Sequence, residues 1–318
     1  MTDPGAPAEF GLIARHFRPL AGPGSLDLLD DAALLDPPPG RQLVLTADAM
    51  VAGVHFLADD PAETVGAKLL RVNLSDLAAM GATPLAYLMT VSAPRDTSDA
   101  WFADFAAGLA RDQARFGINL LGGDTTATPG PMTLSLTAIG HVAPGTTLRR
   151  HGASAGDEVW VTGTIGDGAL GLLAIRGQVP DPDGWLTDRY RLPEPRLGLA
   201  LHGVVSACMD ISDGLVQDLG HLCRAAGLGA LIHAELVPRS PAAVAAGSAW
   251  LTTCLTGGDD YELLMAVPPH HAGALLAAAG EHGCRVTRIG QFEARGEVQV
   301  LDGCGVAISL DRPGWSHF

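Results

Sequence analysis

A chain of 318 residues, 47% of them hydrophobic and only 17% charged, has enough apolar material for two hydrophobic cores and too much to be disordered. Its formal net charge of −15 excludes nucleic acid and anionic membrane surfaces as partners, because phosphate polymers need positive charge opposite them. The five cysteines (Cys208, Cys223, Cys254, Cys284 and Cys304) are widely dispersed with no CxxC pair, which predicts reduced thiols in a cytoplasmic protein. The N-terminal MTDPGAPAEFGLIARHF has no apolar signal core, and no apolar run reaches membrane-spanning length, so neither leader nor membrane span is expected.

In chain order, Arg41 to Thr46 reads as a buried strand and Pro61 to Met80 as a helix stopped by Gly81. Leu85 to Val91 reads as a strand, Ser98 to Phe116 as a helix, and Ile118 to Leu121 as a short strand. Met132 to Val142 alternates as a strand does. The stretch Pro144 to Gly156 is rich in Gly, Thr and Arg and marks a domain boundary, giving domains 1–145 and 146–318. A second series follows: strand Glu158–Thr162, helix Asp167–Arg176, a Pro/Asp-rich loop near 179–184, and a helix after Pro195. Strand Ala207–Ile211, helix Gly214–Ala226, strands Ala230–Ala234 and Glu262–Val267, and helix Pro269–His282 complete it. Strands and helices mix in both halves, so the fold class is α/β (α+β) with two domains.

Six segments place Asp beside Gly, Ser or Thr: LDDAALL (Asp30, Asp31), LTADAMVAGVHF (Thr46, Asp48, His55), NLSDLAAMGA (Asn73, Asp76), GGDTT (Asp124), MDISDGL (Asp210, Ser212, Asp213) and TGGDDYEL (Asp259, Asp260, Glu262). Hard cations such as Mg²⁺ take oxygen ligands, commonly one or two carboxylates per ion with phosphate oxygens completing the shell. Dispersed carboxylates therefore fit several Mg²⁺ ions shared with a polyphosphate. Each Asp-Gly pair taken singly is also an ordinary turn or cap, and Asp213 stands where it could cap the helix at Gly214. Asp76 resists that explanation. It lies inside a predicted helix, where Asp is a poor residue, and shares a face with Val72 and Lys68, the only lysine in the chain. No GxxxxGK[ST] phosphate loop, protein-kinase loop, GxSxG elbow or HExxH helix occurs, so phosphate binding falls to metal ions, Arg and backbone amides.

In this order, the motifs resemble the thiamine-monophosphate kinase family over nearly the whole chain. The matching text runs from EFGLIARHF (Glu9–Phe17) through VAGVHF, VNLSDLAAMGA, GGDTT, MDISDGLxxDLGHL and GGDDYEL to the terminal His317–Phe318. The resemblance implies the two-domain fold of aminoimidazole ribonucleotide synthetase, with an N-terminal domain that dimerises through its sheet and a C-terminal α/β domain. It implies transfer of a phosphoryl group from ATP, with Mg²⁺, to thiamine monophosphate. It also implies metal ligands at Asp31, Thr46, Asp48, Asp76, Asp124, Asp210 and Asp213. Nucleotide contacts map to Gly123, Asp124, Arg150 and Ser212, and acceptor contacts to His55, Asp259 and an aromatic, Trp315. An anionic phosphate acceptor needs no strong base, so no catalytic residue beyond the metal cluster is expected, and in-line transfer is direct.

Three departures stand out. The family's GxGDD is DLLDD here, with Leu28 and Leu29 in place of glycine; Asp259 replaces Glu; and Ala47 replaces a hydroxyl residue in [ST]TD. The apolar alternation of Met132–Val142 would suit a sheet interface in a homodimer. Two other readings are another ATP-dependent member of the superfamily and a non-catalytic acidic Ca²⁺-binding protein. Selenophosphate synthetases need a reactive residue near the N-terminus, whereas this chain has no Cys before Cys208. The hydrogenase-maturation members need a C-terminal Cys, where this chain has SHF, and no EF-hand loop is present.

Overall fold

The computed structural model describes residues 8–316, so the terminal His317–Phe318 of the matching text lies outside the described residues. The chain divides into two units: the described residues up to Leu77 with Thr83–Pro144, and Ala78–Ala82 with the described residues from Gly145 onward.

Helix α1 (Ala8–Leu12) opens the first unit. Strand β1 (Gln42–Val51), helix α2 (Ala62–Ala79), strand β2 (Thr83–Pro94), helix α3 (Asp99–Phe116), and strands β3 (Asn119–Thr128) and β4 (Thr133–Val142) follow. Among the described residues the strands form one four-stranded sheet in the order β1-β4-β2-β3, antiparallel except for β2 with β3. Alternation sends Val44 and Met50 of β1, Leu134 and Leu136 of β4 and Met89 of β2 inward, where they are buried with Leu69, Leu70 and Leu74 of α2. Leu45 and Leu88 sit on the opposite face at 63% and 39% exposure. Helix α3 begins where the Ser98 hydroxyl accepts the Trp101 amide at 3.1 Å.

The second unit contains β5 (Glu158–Thr162), α4 (Asp167–Ile175), α5 (Trp185–Arg191), β6 (Ala207–Asp210), α6 (Leu215–Ala226) and β7 (Gly229–His233). It continues with α7 (Pro241–Ala245), α8 (Leu251–Thr256), β8 (Leu263–Val267), α9 (Ala272–Glu281), β9 (Val286–Glu293) and β10 (Val298–Leu301). Its six-stranded sheet runs β10-β7-β9-β5-β8-β6, with only the β10–β7 pair parallel. One buried cluster joins Val159, Val161, Leu264 and Ile289 to Leu215 and Leu219 of α6. A second joins Trp160, Met265 and Val267 to Leu199, Leu201 and Leu275. Neighbouring strand residues thus feed different clusters, as a sheet covered on both faces requires.

Two expectations need correction. No helix follows Pro195; the helix is α5, ahead of it, directly after the Pro/Asp-rich loop near 179–184, which stays a loop. Asp181 explains the difference, because its carboxylate accepts the amides of Leu186 and Thr187 at 3.1 and 2.9 Å and so starts the helix. Strands β9 and β10 lie where no strand is expected from the sequence.

Candidate active site

In the first unit, an acidic site is built on β1 and α2. Thr46 and Asp48 stand two residues apart on β1 and so share its α2-facing side with the buried Val44 and Met50. From α2, Asp76 Oδ2 accepts the Thr46 hydroxyl at 2.5 Å. Asn73, one turn earlier and fully buried, fixes β1 from below. Its Oδ1 accepts the Asp48 amide at 3.2 Å while its Nδ2 donates to the Leu69 carbonyl at 2.9 Å. The half-buried Asp76 therefore meets a hydroxyl instead of the apolar core.

His55 lies in the turn that follows β1. Its Nδ1 accepts the Val51 amide at 3.0 Å, which leaves the ring proton on Nε2, and its carbonyl takes Lys68 Nζ at 3.1 Å. Lys68 itself is 2% exposed and ties this turn to α2.

Asp124 is on β3, at the other edge of the sheet. It pairs with Thr90, which pairs with Ser135, which pairs with Ala49, so Asp124 falls in the strand row next to that of Asp48. Two strands lie between β1 and β3, a separation of roughly 14 Å at ~4.8 Å per strand. Asp124 thus does not join Asp48 within one sheet. Gly123 beside it has φ of 152°, and a Cβ there would stand 1.7 Å from the Met89 carbonyl oxygen, so no side chain fits. Asp31 is exposed, after a turn in which Leu26, Asp27 and Leu28 all have φ between 52° and 59°. The DLLDD departure thus holds left-handed backbone without glycine, at a strain of about 1 kcal/mol or more per residue.

In the second unit, a turn at Ser212–Gly214 links β6 to α6. Asp210 is buried at the end of β6. Asp213 does not cap α6. No side chain caps α6; from within the helix Asp218 instead holds the preceding turn, its Oδ2 accepting the amides of Ser212, Asp213 and Gly214 at 3.1, 3.0 and 3.2 Å. Burial pushes the Asp218 carboxyl up to about 7 against the pull of these amides. Arg150 is exposed and lies close enough to α6 to act on His221. Burial first, then the guanidiniums of Arg224 and Arg150, lower the His221 pKa, and Asp213 opposes them. Ser212 and Asp213 thus stand at the start of α6, with Arg150 within electrostatic reach of His221 further along it. Trp315, 46% exposed, joins them by donating its amide to the Asp213 carbonyl at 2.9 Å.

The GGDDYEL segment runs alongside this turn. Asp259 has φ of 71° and donates its amide to the Ser212 carbonyl at 2.9 Å, so its half-buried side chain starts beside the turn. Asp260 and Glu262 are fully buried and structural. Asp260 accepts the amides of Gly166 and Gly168, at 2.7 and 3.2 Å, at the start of α4. Glu262 receives Thr162 at 2.6 Å, both donors of Arg196 at 2.6 Å, and Arg189 at 3.0 Å.

Family models for the AIR synthase related proteins match residues 29–142 (N-terminal domain) and 154–303 (C-terminal domain). The thiamine-monophosphate kinase of Caulobacter vibrioides is 47% identical over 98% of this chain and 91% of its own length. The chain belongs to the thiamine-monophosphate kinase family. The crystal structure of the thiamine-monophosphate kinase of Stenotrophomonas maltophilia K279a superposes with a TM-score of 0.84 at 39% identity, covering 95% of this chain and 98% of that one. AaThiL complexed with AMPPCP and TMP superposes at 0.77 with 30% identity, covering 98% and 97%.

Set against the ligands that resemblance to the thiamine-monophosphate kinases implies, the fold brings together Thr46, Asp48 and Asp76 in one unit, and Arg150, Ser212, Asp213, Asp259 and Trp315 in the other. Among the described residues no three His, Cys, Asp or Glu side chains are grouped closely enough to hold an ion by themselves. Sequence reasoning picked out Asn73 within its motif without a role, and missed two supporting residues, Asp218 and Gln217. Asp218 had a visible signal, an Asp four residues beyond a Ser-Asp-Gly turn at a helix start. A cleft of about 470 Å³ in the second unit includes Trp185, Arg189, Arg196 and Arg285 but none of the predicted site residues. Its Arg189 and Arg196 are engaged by Glu262, so it is a structural cross-link rather than an anion site.

Proposed function

We propose that this protein transfers the γ-phosphoryl group of ATP to thiamine monophosphate, giving ADP and thiamine diphosphate. The observation that carries the reading is the Thr46–Asp76 hydrogen bond with Asp48 beside it, an all-oxygen set assembled on the motifs that define the family. Two carboxylates and a hydroxyl fit Mg²⁺, which takes few protein ligands and completes its shell with phosphate and water oxygens. Asp31, Thr46, Asp48, Asp76, Asp124, Asp210 and Asp213 are the residues proposed to hold the ions. When bound, Mg²⁺ supplies charge neutralisation between the donor and acceptor phosphates. Given its distance from Asp48, Asp124 serves a different ion or the other end of the polyphosphate.

The chain's own groups position the two substrates. Gly123, Asp124, Arg150 and Ser212 contact the nucleotide, with Gly123 opening the backbone to a phosphate. His55, Asp259 and Trp315 contact the acceptor. With its proton held on Nε2, His55 is a hydrogen-bond donor suited to a phosphate oxygen. The acceptor oxygen is already anionic, so positioning and electrostatics carry the transfer and no base is needed. The five free cysteines suit a reducing cytoplasm, and no helix among the described residues is long and apolar enough to cross a membrane.

The test is an ATP-dependent assay with thiamine monophosphate as acceptor and thiamine as control. Thiamine diphosphate should form from the monophosphate, and thiamine itself should react at least about a hundredfold more slowly, because a hydroxyl nucleophile needs the base this site lacks. Comparable rates with the two acceptors would overturn the mechanism.

The active form is a homodimer, on the motive of the exposed sheet face. Leu45 pairs with Ile139 on β4, and Leu88 continues the apolar surface on β2. Leu45→Glu should convert a dimer to a monomer in light scattering at micromolar concentration, at little cost to the folded unit. A wild-type protein that is monomeric and fully active would refute the dimer.

A further inference from the structure

We infer that Gln217, on the first turn of α6, is a positioning residue that straps Trp315 onto the Ser212–Gly214 turn and thereby sets affinity for the acceptor. The inference rests on the reading of Trp315 as an acceptor contact. Three observations place Gln217 in this role. Its Nε2 donates to the Trp315 carbonyl at 2.5 Å and also to Asp213 Oδ2 at 3.2 Å, so one amide group links the C-terminal segment to a proposed metal ligand. The Trp315 amide returns a bond to the Asp213 carbonyl at 2.9 Å, closing a small ring of contacts. Gly314 is pressed against the same two residues: a Cβ there would stand 2.5 Å from Gln217 Cβ and 2.7 Å from the Asp213 carbonyl oxygen.

The chemistry follows from these contacts. The indole is 46% exposed and lies on a segment outside regular secondary structure. Two backbone hydrogen bonds, one from a side chain, fix where its ring can lie. A ring held in advance binds a planar cationic heterocycle without first losing chain freedom, so loss of the strap weakens ground-state and transition-state binding alike. Such a change enters KM and leaves kcat alone.

The experiment compares Gln217→Leu, Gly314→Ala and Trp315→Ala in the full-length protein. Acceptor KM, ATP KM and kcat are measured, together with hydrogen exchange at the C-terminal peptide by mass spectrometry. Gln217→Leu should speed exchange at Trp315 and raise KM for thiamine monophosphate by about threefold to tenfold, with kcat and ATP KM within about twofold. Gly314→Ala, which pushes the strap off from the other side, should reproduce that pattern, and the double variant should add little to either. Gln217→Asn should recover part of the lost affinity. Unchanged exchange in Gln217→Leu would overturn the strap. Faster exchange with an unaltered acceptor KM would overturn its link to the acceptor. Trp315→Ala with a wild-type acceptor KM would instead strike the assignment of Trp315 itself, whatever Gln217 does. Equal rises in acceptor and ATP KM would show a general disturbance of the turn and also overturn the proposal.

Discussion

Asp76→Asn is expected to cut kcat/KM by about a thousandfold or more while leaving the fold intact, a loss of ~4 kcal/mol in transition-state stabilisation. Asparagine keeps an oxygen to accept the Thr46 hydroxyl, which Asp76 takes at 2.5 Å, so the link between β1 and α2 survives. The charge does not survive, and a cation held by Asp76 with Thr46 and Asp48 would lose one of its anionic ligands. Thermal unfolding followed by circular dichroism should shift by only about 2 °C or less. The companion variant Thr46→Val keeps the β-branched shape and removes one oxygen, and should cost about tenfold. Near-normal turnover of Asp76→Asn at saturating Mg²⁺ would remove Asp76 from the metal site.

Regularly patterned elements were legible, and elements that depend on distant partners were not. The run Arg41–Thr46 announces β1, yet the strand continues to Val51 through Ala47, Asp48 and Ala49, which disfavour strands. They stay extended because β4 pairs with them all the way to Val51↔Thr133. The same holds for GGDTTAT, drawn into β3 by its parallel pairing with β2. Helix α5 was hidden because Asp181 reads as a turn residue in sequence and acts as a cap in space. At the site, the residues that bear charge or hydroxyl on a motif were named from sequence. The supporting roles were not, since Asn73, named in its motif, and Asp218 act on backbone amides that no pattern of side chains records. The gap of roughly 14 Å between β1 with Asp48 and β3 with Asp124 was equally invisible, because it comes from strand order (β1 and β3 at opposite edges) and not from spacing along the chain.

Asp260→Asn is expected to damage stability, and Asp259→Glu to change acceptor binding, although the two residues are neighbours. The fully buried Asp260 uses both carboxylate oxygens, one on the Gly166 amide at 2.7 Å and one on the Gly168 amide at 3.2 Å. Asparagine has one acceptor oxygen, so its NH₂ group would face an N–H where no water can intervene. The cost should be about 2–4 kcal/mol, a fall in Tm of roughly 5–10 °C. Burial, with Asp167 nearby, also holds the Asp260 carboxyl well above its ordinary value of 3.8. Above that value the unfolded chain has released a proton that the folded one retains. Stability linked to this group is therefore complete below the unfolded pKa and is lost as pH rises toward the folded one, a decline that Asp260→Asn should flatten. Asp259 differs in every respect: half-buried, at φ of 71°, and anchored by its amide to the Ser212 carbonyl. Its side chain is half-buried where that of Asp260 is fully enclosed, so Asp259→Glu should cost less stability than Asp260→Asn. The added methylene should shift KM for thiamine monophosphate by about threefold to tenfold with kcat within about twofold, as a contact remote from the transferred phosphoryl group must. An acceptor KM that rises in Asp260→Asn with Tm unchanged would exchange the two roles. A fall in kcat alone for Asp259→Glu would instead place Asp259 beside the phosphates, because only there does one methylene alter the transition state without altering the bound acceptor.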